Sequence, residues 1–232
     1  MTMALPSGAA EGKRATIELR VFKMRNTQDA MTQRTNDFIA KTYLPALTRA
    51  GVSPVGVFGN LIGPDSPYTL TVAQFPTLDS WEAAAGKLDG EAHFVRMEVT
   101  LLRAFSGMPA IEVPRPLNDG KSRIFELRTY ESNNPKTLAR KIRMFDEGEI
   151  ELFRKVGMAP VFFGETIAGQ RMPNLTYMVG FEDLAAREKI WSTFVSHPEW
   201  KKMLAQPGVS DAEIVSNISN SILRPMPFSA IK

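Results

Sequence analysis

Ile17-Glu18-Leu19-Arg20-Val21-Phe22 and Phe125-Glu126-Leu127-Arg128-Thr129-Tyr130 are one segment written twice. Each alternates side chains with a period of two, the signature of a β-strand. The repetition extends outward from them. Gly51-Val52-Ser53-Pro54 returns as Gly157-Met158-Ala159-Pro160, Gly63 as Gly169, Phe75 as Phe181 and Leu78 as Leu184, all 106 residues apart. Leu102-Arg103 returns as Leu223-Arg224 at a spacing of 121. A fixed order at a near-constant offset marks an internal duplication. The later change of offset gives the second copy 15 additional residues within about 195–212, around His197-Pro198-Glu199-Trp200.

Each copy reads strand, helix, strand, strand, helix, strand. In the first, strand 16–22 precedes helix 28–50, which Gly51 stops. Strands 54–62 and 68–75 flank the turn cluster Gly63-Pro64-Asp65-Ser66-Pro67. Helix 77–88, capped by Thr77 or Asp79, and strand 96–104 complete the unit. The second copy predicts strand 123–130, helix 135–156, strands 160–167 and 174–181, helix 183–196 and strand 213–223. The expected fold class is α+β: two tandem ferredoxin-like βαββαβ units whose antiparallel sheets cover each other as a barrel within one chain. The expected organisation is a leader over 1–14, a first unit over 15–106, a Pro/Gly-punctuated linker over 107–121 and a second unit over 122–232.

Composition removes several classes of function. The 232 residues include no Cys, which excludes disulfides, a thiolate nucleophile, Cys-ligated zinc and iron–sulfur clusters. No apolar run reaches the roughly 18 residues of a membrane span. The net charge of +3 is spread along the chain, so neither a nucleic-acid partner nor a basic arm is expected. The two His, His93 and His197, have no metal-ligating spacing, and no metal or cofactor is expected. Residues 1–14 have no h-region of secretory length. The expected compartment is the cytoplasm, or the periplasm if a signal has been removed.

The second half carries a resemblance. Phe125-Glu126-Leu127-Arg128-Thr129-Tyr130, Gly157-Met158, Phe163-Gly164-Glu165, Leu175-Thr176-Tyr177-Met178-Val179-Gly180-Phe181 and His197-Pro198-Glu199-Trp200 together resemble the NIPSNAP family. The first half is similar to a more divergent copy without the His-Pro-Glu-Trp piece. The resemblance implies a dimeric α/β-barrel of ferredoxin-like units. It implies no reaction, since the family has no generally accepted one. Barrel families of this architecture include cofactor-free oxygenases, haem-degrading oxygenases and plain ligand binders, an analogy at the level of fold.

Three places suit chemistry. Strand parity predicts Ile17, Leu19, Val21, Phe125, Leu127 and Thr129 toward the helices. Glu18, Arg20, Phe22, Glu126, Arg128 and Tyr130 would then point into the barrel, as either a paired Glu–Arg network or a polar-ligand site. Arg96, Glu98, Thr100, Asn217, Ser219 and Ser221 would share that inner face. Glu149 falls in the apolar stripe Leu138, Ile142, Phe145, Leu152, Phe153, Val156, where burial would raise its pKa and suit it to acid–base work. Otherwise it snorkels to water. His197 is either a proton shuttle or the cap of a helix opened by Pro198, with Trp200 as a core anchor.

The leading expectation is a protein that binds, or binds and converts by acid–base chemistry without a redox cofactor of its own, a small apolar or aromatic molecule in a pocket of the second unit. Its catalytic candidates are Glu149 and His197. Arg128, Tyr130, Glu165, Tyr177 and Trp200 are the ligand-binding candidates. The alternative is a non-catalytic interaction or scaffold module with a closed interior. Assembly into a homo-oligomer is compatible with both.

Overall fold

The computed structural model describes residues 13–25, 30–85, 94–117 and 123–232. Most of the expected leader, the start of the first helix, the end of the 77–88 helix, His93 and part of the expected linker lie outside them. Eight strands close into one barrel: β1 (Thr16–Lys23), β2 (Val55–Ile62), β3 (Tyr68–Phe75), β4 (Arg96–Ala104), β5 (Ile124–Glu131), β6 (Ala159–Ala168), β7 (Asn174–Phe181) and β8 (Asn217–Pro225). Around the barrel the order is β1-β3-β2-β8-β5-β7-β6-β4, every pairing antiparallel. Each half supplies four adjacent strands. Pairings β2–β8 and β4–β6 sew the halves together, so no sheet edge stays open.

The 106-residue spacing recurs in backbone irregularities. Helix α1 (Met31–Phe38) passes through a π-helical turn (Ile39–Tyr43) into α2 (Leu44–Arg49). Helix α4 (Pro135–Met144) passes through another (Phe145–Glu149) into α5 (Ile150–Lys155). The two π turns stand 106 residues apart, as do the left-handed residues Gly51 and Gly157, and Asp65 and Arg171. Sequence periodicity predicted unbroken helices; one extra residue per turn escapes that pattern. Asn134 starts α4 by accepting the N–H groups of Lys136 and Thr137, with Pro135 in the first turn.

The insertion is helical, and its first helix opens at Pro198 as one of the two readings of His197 had it. Among the described residues the next element after α3 (Leu78–Ala85) is the closing strand β4, whereas after α6 (Leu184–Ser196) the second half has α7 (Pro198–Leu204) and α8 (Asp211–Ile214). The closing strand therefore starts at Asn217, four residues later than predicted. Ser210 and Glu213 form a capping box that holds 211–214 helical.

The predicted strand parity is reversed. Ile17, Leu19, Phe58, Leu70, Val72, Leu102, Phe125, Phe162, Met178 and Leu223 pack together inside the barrel, with Val21 and Leu127 against them. Glu18, Arg20, Glu126, Arg128 and Tyr130 lie beneath the helices. Alternation fixes which residues share a face but not which face is inside. Apolar Ile17 and Phe125 suit either. Thr100, Ser219 and Ser221 do face the interior, as expected.

One end of the barrel is plugged. Ile111, from the segment joining the halves, and Ile231, near the C-terminus, bury into the same cluster. The joining segment is pinned by Glu112 N–H to Val161 C=O and by Ile111 N–H to the Gln74 side chain. The tail is held by Met226 N–H to Val57 C=O and Ala230 N–H to Val55 C=O. At the β4–β6 seam a Cβ added to Gly164 would lie 2.7 Å from the Leu102 Cβ. Gly164→Ala should therefore cost about 1–3 kcal/mol, read as a lower urea midpoint with unchanged slope.

Candidate functional site

Beneath the helices of the second half, charges are matched and tightly packed. The Glu126 carboxylate is fully buried and accepts five hydrogen bonds: from Arg128 (2.8 Å), twice from Arg187 (2.7 and 2.8 Å), from the Trp191 indole (2.9 Å) and from Asn220 (2.9 Å). Burial alone would push its carboxyl up, but these donors hold it at about 2. The first half repeats the motif: Glu18 accepts from Arg20, from the Tyr43 hydroxyl and from the Trp81 indole. The Glu–Arg network of the sequence reading exists, on the outer face of the sheet.

Glu149 is buried too. Its Oε2 lies 3.2 Å from Nζ of Lys141, which is itself completely buried. Lys141 also meets Asp211 of the inserted helix α8 at 3.2 Å and sits over the rings of Tyr130, Phe145 and Trp200 at 5.6, 5.0 and 5.3 Å. Burial raises the Glu149 carboxyl, with Lys141 opposing. Burial would lower the Lys141 ammonium, but Glu149 and Asp211 outweigh it and keep it protonated. Sequence reasoning missed Lys141. Its signal is placement: three residues after Leu138 and eight before Glu149, it shares their helix face. The aligned first-half residues are Thr35 and Tyr43, so the ion pair is particular to the second half.

The ligand-binding candidates divide. Arg128 donates to the Tyr130 hydroxyl at 3.2 Å and lies over the Trp191 ring, and Tyr177 donates to Tyr130 at 3.0 Å. Trp200 is buried against Phe194, with ring centroids 4.6 Å apart. These three elements join Glu149 through Lys141 in one aromatic layer. Glu165 is half-buried on β6, apart from that layer. His197 caps α7, its Nδ1 accepting the Glu199 N–H at 3.2 Å. Neither cavity described here is lined by any of the seven candidates.

The barrel supplies the room. Opposite the plugged end is a cavity of about 490 Å³, lined by strands of both halves. Leu19, Val21, Leu70 and Leu127 give it apolar walls. Thr100, Thr129, Thr176, Ser219, Ser221 and Asn174 bring hydroxyl and amide groups. Thr129 and Thr176 share a hydrogen bond of 2.9 Å, and Arg171 donates to Ser219 at 2.9 Å. At the rim Glu98 pairs with Arg96 (2.8 Å) and Lys23 (3.1 Å), and Lys23 reaches Asp65 (2.6 Å). The Lys23 hydrogen bond, foremost, keeps the Asp65 carboxyl below its usual range. Among the described residues no three His, Asp or Glu gather as metal ligands, and no helix is long and apolar enough to cross a membrane.

Residues 125–230 match the NIPSNAP family model. Over these residues the chain is similar to the NIPSNAP family. A NIPSNAP-like domain protein from Burkholderia xenovorans matches at 24% identity over 47% of this chain and 89% of that one, with a TM-score of 0.41. Nearly the whole chain also resembles a proposed monooxygenase from Fusobacterium nucleatum, at 8% identity over 91% and 92% of the two chains and a TM-score of 0.57. It further resembles an anthrone oxidase-like protein, at 12% identity over 94% and 93% and a TM-score of 0.53. At such identities the likeness is one of fold. No curated protein matches the sequence. The barrel closes because the half preceding this NIPSNAP-like region supplies the other four strands.

Proposed function

We propose that this protein binds a small, largely apolar molecule bearing one or two oxygen groups in the barrel mouth. We further read each half as a ferredoxin-like unit, an arrangement supported by the strand order fourth-first-third-second in both. The carrying observation is a cavity of about 490 Å³ with leucine and valine walls and clustered hydroxyls. That volume is within the usual range for small-molecule sites, as is the combination of apolar surface with a few polar groups. The names of the two oxidative fold neighbours are compatible with such a ligand but assign no reaction here. In this reading Glu149 and His197 hold the fold, and Glu98 is the one carboxylate that lines the cavity.

Thr129→Phe fills the cavity from β5. With 2-naphthol as probe, isothermal titration should show one binding event in the wild type. Affinity should fall at least about tenfold in Thr129→Phe and stay unchanged in Glu188→Gln, on the exposed face of α6. Absence of binding to the wild type, or equal affinity in Thr129→Phe, contradicts the reading.

A further inference from the structure

We propose that the insertion of the second half builds a separate binding site for a small organic carboxylate. A cavity of about 660 Å³ is lined by residues of α4 and by the segment that follows α7. Met144, Met203 and Val209 give it an apolar surface. Arg140 and Arg143 bring two guanidinium groups to the same space.

Their situation differs from that of three other arginines of the second half. Arg128, Arg154 and Arg187 are each ion-paired. Among the described residues neither Arg140 nor Arg143 has an ion pair or a hydrogen-bond acceptor. Nearby Lys141 adds no free charge, because Glu149 and Asp211 match it. Glu147 is the one carboxylate in the lining, which leaves the cavity one positive charge in excess. Two unpaired guanidiniums with a single net charge suit a monoanion, and a guanidinium matches the two oxygens of a carboxylate. The thioethers offer an adaptable surface for an aliphatic or aromatic body.

The site depends on the insertion. Gly208, in the left-handed region at φ +73°, brings its backbone under Arg140; a Cβ there would lie 3.0 Å from Arg140 Nη1. The first half has no equivalent of 205–210, and Asp37 stands where Arg143 does. No residue of the barrel mouth takes part, so this proposal stands apart from the function proposed above.

Calorimetric titration of the full chain with octanoate tests it, with octan-1-ol as the neutral analogue. In the Thr129→Phe background, which fills the barrel mouth, the expected result is one octanoate site, and octan-1-ol binding at least about tenfold weaker. Arg140→Gln/Arg143→Gln should also weaken octanoate at least about tenfold, and Arg143→Gln alone should give a partial loss. Both arginines are exposed, so the variants should melt within about 2 °C of the wild type. Thr129→Phe should bind octanoate normally. No octanoate binding, equal binding of the alcohol, unchanged affinity in the double variant, or loss of binding in Thr129→Phe each overturns the proposal.

Discussion

Glu126→Gln destabilises the protein by about 3–5 kcal/mol, because it leaves the guanidinium of Arg128 buried without its counter-charge. The carboxylate is the common acceptor of β5, β8 and α6, through Arg128, Asn220, Arg187 and Trp191. Its loss therefore loosens the helix layer from the barrel. The effect has a pH signature. The folded carboxyl sits at about 2 against an ordinary 4.5. A group whose pKa falls on folding contributes its full stability above the unfolded value and loses it as pH falls toward the folded one. Wild-type stability should drop by about 3 kcal/mol from this group between pH 5 and pH 2. The difference between wild type and Glu126→Gln should narrow over that window. Urea unfolding followed by circular dichroism at several pH values reads both effects; a difference independent of pH would contradict them.

Lys141→Met or Glu149→Leu alone costs a comparable amount, about 3–5 kcal/mol, because each strands a buried charge. Asp211, which touches Lys141 and is partly exposed, should soften the Glu149 substitution. The double variant Lys141→Met/Glu149→Leu should recover most of the loss, since replacing a buried pair by apolar residues is close to neutral. A double-mutant cycle on unfolding free energies isolates the coupling. Additive losses would show that the two residues do not act as a pair. An acid–base role for Glu149 would instead require ligand access, and the residue is 2% exposed beneath packed rings.

Much of this architecture was legible in the sequence. The 106-residue offset recurs in the π-helical turns and left-handed residues, and the shift to 121 falls where α7 and α8 lie. Glu149 within an apolar stripe correctly marked a buried carboxylate. The inside of the barrel was misassigned because Ile17-Glu18-Leu19-Arg20 alternates equally well in either orientation. What settles the orientation is the pair of tryptophans, Trp81 and Trp191, whose indoles reach Glu18 and Glu126 from the helices. Lys141 was overlooked since a lysine on a helix normally reads as solvated. The polar groups Thr100, Ser219 and Ser221 of the barrel mouth were anticipated, but its apolar walls Leu19, Val21, Leu70 and Leu127 were not, because they are scattered over both halves. No local motif gathers them; strand closure does.

The central claim is that a small molecule occupies the barrel mouth between the two halves. The most direct measurement is methyl-labelled NMR of the 25.8 kDa protein titrated with 2-naphthol. The account predicts saturable shifts at Leu19, Val21, Leu70 and Leu127, and none at Leu138 or Leu152 beneath the helices. Shifts centred on Leu138 and Leu152, or no shift at the barrel methyls at saturation, would contradict it.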